Sequence, residues 1–226
     1  MKQFWSDRII NFYRNIQLTS VLPDGVEVLM PFADEDVMHA FEQFYKKFYS
    51  DNERRIAIIG INPGRFGGGV TGVPFTDPIR LEQACGIANN FTRRQELSSV
   101  FMYEMMQAFG GVELFYQTFY ISSYSPLGFV KNGKNLNYYD EKELAIAIEP
   151  FAVKCFQQQL SWNLDNKIAY CLGDGKNFQW LSKLNAKHHF FEKIIPLSHP
   201  RFIMQYKLKQ KGEYIERYLK AFLPAT

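Results

Sequence analysis

Residues 55–75 read Arg55-Ile56-Ala57-Ile58-Ile59-Gly60-Ile61-Asn62-Pro63-Gly64-Arg65-Phe66-Gly67-Gly68-Gly69-Val70-Thr71-Gly72-Val73-Pro74-Phe75. The run from Arg55 to Ile59 is short and, after its first residue, apolar and rich in isoleucine, the pattern of a buried strand, and a glycine-rich loop opens where it ends. In an open α/β sheet the crevice beyond the carboxyl ends of the strands is where ligands bind. Glycines there let the backbone approach a ligand closely or aim N–H groups at an anion. The loop is therefore read as the active site.

N-terminal to this stretch, Trp5, Ile9, Ile10, Phe12, Tyr13 and Ile16 recur at helical spacing, as do Val37, Phe41, Phe44, Tyr45 and Phe48. Two framing helices are expected within residues 1–50, with a short extended segment at 26–31 between them. Downstream, Thr92 is expected to cap a helix running to about residue 109. A strand follows over 117–122, a polar loop over 131–135 and a helix over 140–160. A strand over 167–172, a helix over 177–184 and a strand over 190–197 complete the order. Alternation of strand and helix implies an α/β fold of three layers (αβα), with a central four-stranded, mostly parallel sheet. The whole chain, 1–226, reads as a single domain, with the sheet and the chemistry in 55–222. Three of the four strand exits carry useful polar groups, Asn62, Ser122 with Ser123, and His199, which would meet at one edge of the sheet.

The composition narrows the function classes. The chain has 226 residues, 46% of them hydrophobic, enough to bury a full core. Residues 1–130 hold 11 Lys and Arg against 14 Asp and Glu, whereas 131–226 hold 15 against 9, so the basic excess lies in the C-terminal part. That suits a polyanionic partner, although lysines also serve simply to solvate a surface. Cys85, Cys155 and Cys171 lie far apart without a C-x-x-C pair, so thiolates outline neither a zinc nor an iron–sulfur site, and a reducing compartment is the simplest setting. Met1-Lys2-Gln3-Phe4-Trp5-Ser6 has no apolar leader core, and no run of 18 apolar residues occurs. A soluble, cytoplasmic monomer without a membrane segment, metal or cofactor is expected. The loop is also not a common nucleotide cradle, since neither G-x-x-x-x-G-K-[ST] nor G-x-G-x-x-G is present.

With these residues in view, the chain resembles the uracil-DNA glycosylase superfamily, and within it the single-strand-selective monofunctional (SMUG-like) branch. Gly60-Ile61-Asn62-Pro63-Gly64-Arg65-Phe66-Gly67 followed by Thr71-Gly72-Val73-Pro74-Phe75 matches that branch's first motif, and His199-Pro200 matches the start of its second. The resemblance implies a base-flipping DNA-repair enzyme that hydrolyses the N-glycosidic bond of uracil, and of other deaminated bases, without cleaving the strand. Its partner would be single- or double-stranded DNA containing such bases. In this reading Asn62 holds the attacking water and His199 stabilises the departing base. Phe75 stacks on the extruded base, and Gly64, Phe66, Gly67, Gly68 and Gly69 wrap the base and its phosphate, with Ser122 and Ser123 at the pyrimidine edge. Arg65, Arg201, Phe202, Lys207, Lys209 and Lys211 are the expected DNA contacts. A protein of this fold that binds nucleotides or nucleic acid without catalysis is the alternative.

The chain departs from the family pattern at three points. Asn62 stands where related branches place a general-base Asp, which implies a slower enzyme. Ser123 stands where an Asn reads the pyrimidine, and one rotatable hydroxyl cannot make the paired contacts of an amide. His199-Pro200-Arg201-Phe202 replaces His-Pro-Ser-Pro-Arg. Other readings of these residues stay open at this level: Phe75 as ordinary core, Ser122 and Ser123 as local backbone partners, and residues 201–211 as a helix with a solvated lysine face rather than a wedge of Phe202, Ile203 or Met204.

Overall fold

The computed structural model describes residues 3–222. Met1 and Lys2, part of the stretch read for a leader, lie outside the described residues, as do 223–226.

Two sheets organise the chain. The strands Arg55–Gly60 (β2), Phe119–Ser123 (β3), Leu164–Leu172 (β6) and Lys193–Leu197 (β7) form one, in the order β3-β2-β6-β7 and parallel throughout. Val26–Leu29 (β1), Gly128–Lys131 (β4) and Lys134–Leu136 (β5) form a small antiparallel sheet. The helices are Trp5–Arg14 (α1), Glu35–Phe48 (α2), Gly68–Thr71 (α3), Pro78–Gln83 (α4), Leu97–Phe109 (α5), Val112–Thr118 (α6), Lys142–Leu160 (α7), Lys176–His188 (α8), Pro200–Tyr206 (α9) and Lys211–Phe222 (α10).

Residues 57–60 of β2 are buried without alternation, because the strand is central in a parallel sheet whose two faces are covered by helices. Its first residue, Arg55, is fully buried beneath α1 and α2. Its guanidinium meets Asp51 at 2.6 and 2.8 Å, donates to the carbonyl of Tyr116 at 2.8 Å, and lies over the Tyr49 ring. A buried cation is tolerated only when so paired. Trp5 adds its indole N–H to the carbonyl of Glu53 at 2.8 Å, which ties α1 to the entry of the same strand.

Several sequence expectations are corrected. Thr92 is not a cap: the helix starts at Leu97 behind Glu96, whose own N–H is held by Asp77 Oδ2 at 2.9 Å. The segment from 117 begins as the end of α6, and β3 starts two residues later. Residues 131–135, read as a loop, form the β4–β5 hairpin, with Asn132 and Gly133 both at positive φ (51° and 69°), as a tight hairpin turn requires. Helix α8 extends to His188, four residues beyond the expected end, and β7 begins three residues late.

Candidate active site

The exits of β2, β3 and β7 open into one cleft of about 370 Å³, whose walls include Asn62, Gly64, Gly68, Phe75, Ser123 and His199. Asn62 leaves β2 and crosses to the small sheet. Its Oδ1 accepts from the N–H of Tyr138 at 3.0 Å, and its Nδ2 donates to the carbonyl of Leu136 at 3.2 Å. Because a backbone N–H only donates and a carbonyl only accepts, these two bonds settle which way the amide faces. Tyr138 is itself anchored, its hydroxyl donating to Asn177 Oδ1 at 2.8 Å and its ring stacked on Tyr124 at 3.9 Å. The clamp on Asn62 therefore reaches back to the end of β6, where Asn177 donates to the carbonyl of Leu172.

His199 follows β7 and caps α9. Its Nδ1 accepts the N–H of Arg201 at 3.1 Å, while its loop is fastened by Tyr218, which donates to the carbonyl of Ser198, and by Ser198, which donates to Asp174 Oδ2 at 2.7 Å. Burial, helped by the Arg201 charge and opposed by Asp174, pushes the imidazole down to about 4, so the ring is neutral near pH 7. With Nδ1 occupied as an acceptor, its hydrogen sits on Nε2.

Phe75 lies 5.8 Å from the His199 ring, centroid to centroid, and has φ 53°, a left-handed conformation that costs an ordinary residue about 1–2 kcal/mol. Gly60 makes room for it: a Cβ there would stand 3.1 and 3.2 Å from the Phe75 ring. Ser123 is the register partner of Gly60 and lines the cleft, its hydroxyl without a protein hydrogen bond among the described residues.

The structure separates the expected site residues. Gly64, Gly68, Arg201 and Phe202 also line the cleft, but Ser122 does not: it is 2% exposed, and its hydroxyl donates to Gln159 Oε1 at 2.7 Å. Neighbouring residues on a strand face opposite sides, so Ser122 and Ser123 cannot both read a base. Phe66, Gly67 and Gly69 are not among the residues that line the cleft. Phe66 carries the Arg94 guanidinium 3.6 Å above its ring and that of Arg65 at 4.8 Å, and the N–H of Arg65 is held by Asn135 Oδ1 at 3.1 Å. Lys209 is exposed and Lys207 half-buried, whereas Lys211 pairs with Glu104 at 2.5 Å. Of the wedge candidates, Ile203 is fully buried and Met204 packs on the core, while Phe202 stays exposed beside Tyr206, ring centroids 5.5 Å apart.

Glu96, Asn135, Tyr139 and Tyr206 line the cleft and were not singled out from the sequence. Tyr206 was legible as an aromatic in the segment after His199; the others are brought in by the small sheet and by the start of α5, which no local pattern announces. Among the described residues no three His, Cys, Asp or Glu side chains gather as a metal site requires.

A parallel sheet thus gathers an amide, an aromatic ring and a neutral histidine at its strand ends. The chain belongs to the uracil DNA glycosylase superfamily, whose family model matches residues 46–223. It is similar to wild-type SMUG2 of Pedobacter heparinus, at 46% identity over 99% of this chain and 98% of that one, with a TM-score of 0.96. None of the curated proteins matches it. It is thus a DNA glycosylase of the uracil-DNA glycosylase type, acting on DNA. No helix among the described residues is long and apolar enough to cross a membrane.

Proposed function

We propose that the protein is a monofunctional glycosylase that removes uracil and deaminated purines from DNA and leaves an abasic site. The observation that carries this is the convergence of Asn62, Phe75, Ser123 and His199 on one cleft. The extruded base stacks on Phe75, and water is held by the free lone pair of Asn62 Oδ1, whose amide is fixed by Leu136 and Tyr138. As the N-glycosidic bond breaks, the sugar becomes oxocarbenium-like and the base gains negative charge. The Nε2–H of neutral His199 donates to the base oxygen that takes up that charge. Water adds at C1′ and its proton passes to solvent or the base, so both products are neutral except for the DNA backbone.

Ser123 supports a broader base range than uracil alone, because its hydroxyl donates or accepts by rotation and takes less room than an amide. Phe202 with Tyr206 is suited to fill the gap left in the stack, and Arg65, Arg201, Lys207 and Lys209 to meet phosphates. Lys211 is a weaker candidate, its ammonium being engaged by Glu104. We assign the chain to one domain acting as a monomer.

Single-turnover assays on oligonucleotides containing uracil, xanthine or hypoxanthine, with and without EDTA and alkali, test this reading. Base release that survives EDTA, with strand scission only after alkali, is the expected result. Scission without alkali, or no release from any of the three, would refute it.

A further inference from the structure

Glu96 is the sole acid in the wall of the cleft, among the described residues, and its place is unexpected for a site that receives a polyanion. Its backbone is fixed as the residue that caps α5, with its N–H on Asp77 Oδ2. The carboxyl fills the space that a side chain at Gly67 would take: a Cβ built there would overlap Glu96 Oε2 and lie 2.7 Å from Cδ. One built at Gly64 would stand 3.8 Å from Oε1 and 3.2 Å from Asn135 Nδ2. The carboxyl is thus packed under the glycine-rich loop, and no protein group among the described residues gives it a hydrogen bond.

Two charged groups face it. Arg201, from α9, draws it toward the anion but forms no ion pair within 4 Å, and Asp77, from the turn before α4, pushes the other way. Asp77 is fully buried, spends its carboxylate on the N–H groups of Arg80 and Glu96, and is partly neutralised by the Arg80 guanidinium at 3.4 Å. His199 is uncharged near pH 7. Burial outweighs Arg201 and lifts the Glu96 carboxyl to about 7, so both of its forms are present in neutral solution.

We propose that Glu96 is a proton-linked sensor of the DNA backbone, its carboxyl becoming neutral when a phosphate seats at the glycine-rich loop, so that DNA binding takes up a proton. A strand that delivers a base to Phe75 brings its flanking phosphates past this wall, and a second anion beside a poorly solvated carboxylate favours the protonated form. The protonated carboxyl then donates to a phosphate oxygen instead of repelling it. Here binding, not the chemical step, carries the pH dependence. The inference rests on the glycosylase reading of the cleft.

The experiment is fluorescence anisotropy with a labelled single strand carrying a tetrahydrofuran abasic analogue, which cannot be cleaved, from pH 6.5 to 8.5. The wild type should lose affinity by about fivefold over that range, and Glu96→Gln, neutral at every pH, should lose none. Equal slopes in both proteins, or no slope in the wild type, would overturn the role of Glu96. Binding at no pH would overturn the glycosylase reading, and this inference with it. If Glu96→Gln does not fold, calorimetry of the wild type in two buffers of different ionisation enthalpy decides the matter. Uptake of about half a proton at pH 7.5 supports the proposal and zero uptake sinks it. Gly67→Ala gives an independent check: its methyl drives the carboxyl into the cleft, so its affinity should fall, and Gly67→Ala combined with Glu96→Ala should recover most of the loss.

Discussion

The N–H of Arg201 donates to Nδ1 of His199, two residues before it, at 3.1 Å, and this one bond makes His199 a donor toward the cleft. A cationic imidazole would have to surrender that bond, since both of its nitrogens carry hydrogens. The cap and the depressed basicity therefore support each other, and together they keep the ring uncharged near pH 7.

His199→Ala should lower the single-turnover rate on uracil by about 10²-fold with DNA affinity nearly intact, the usual loss for a donor that acts on developing charge. Stability gives a second readout. The folded-state value of His199, about 4, lies below the ordinary value of 6.5, so the unfolded chain binds the extra proton first. The contribution of a neutral His199 is whole above pH 6.5 and is lost as pH falls toward 4. Because one side of the ring is open to the cleft, we expect about 2 kcal/mol rather than the full linkage value. Chemical denaturation of the wild type and His199→Gln at pH 7 and pH 4.5 checks this; the same pH sensitivity in both would contradict it.

Asn62→Ala should cost about as much in rate as His199→Ala. Asn62→Asp is more telling. A carboxylate cannot donate to the carbonyls of Leu136 and Pro63, which lie 3.2 and 3.3 Å from Nδ2, so it would face two acceptors. Although related branches use an Asp, this substitution should leave the enzyme slower than wild type. A faster Asn62→Asp enzyme would show that water activation, rather than side-chain placement, sets the rate.

Ser123→Asn should shift the ratio of single-turnover rates, uracil over xanthine, toward uracil, because an amide pairs with one edge of the pyrimidine and excludes larger bases. Ser122→Ala, on the other face of β3, should leave that ratio unmoved and instead cost about 1 kcal/mol of stability by stranding Gln159 Oε1. The reverse pattern would mean that the wrong serine had been assigned.

Gly60→Ala places a methyl 3.1 Å from the Phe75 ring, which must shift by a few tenths of an ångström. Crystallography should find Phe75 displaced from His199, and kinetics a rate about tenfold lower, for a stability loss of about 1 kcal/mol. An unmoved ring with a normal rate would remove Phe75 from the reacting geometry.

The exposed pair Phe202 and Tyr206 yields a prediction about strandedness. Removing both rings should slow excision from duplex DNA much more than from single strands, where no stack has to be held open. Equal losses on the two substrates would point to a base contact instead of a wedge.

The parallel sheet was legible because β2, β3, β6 and β7 each carry an apolar run long enough to signal burial, and the helices between them carry periodic faces. Asn62, Phe75 and His199 were legible because they sit in motifs dense enough to carry a family resemblance. The β4–β5 hairpin was missed although Asn132-Gly133 is a turn signal, since β5 spans only three residues, Lys134, Asn135 and Leu136, too few for an alternation to be read. Helix α6 was missed because Val112–Thr118 is two turns long and runs directly into β3.

By itself, the sequence determined the sheet and the order of its strands along the chain, which follow from local hydrophobic period, and it marked Asn62, Phe75 and His199 through the short motifs that carry the family resemblance. Only the tertiary structure decided which of Ser122 and Ser123 faces the cleft, which of Phe202, Ile203 and Met204 stays exposed, and that the carboxyl of Glu96 lies beneath Gly67. Those outcomes depend on strand register and on contacts between segments tens of residues apart, where a shift of one position turns a side chain to the opposite face.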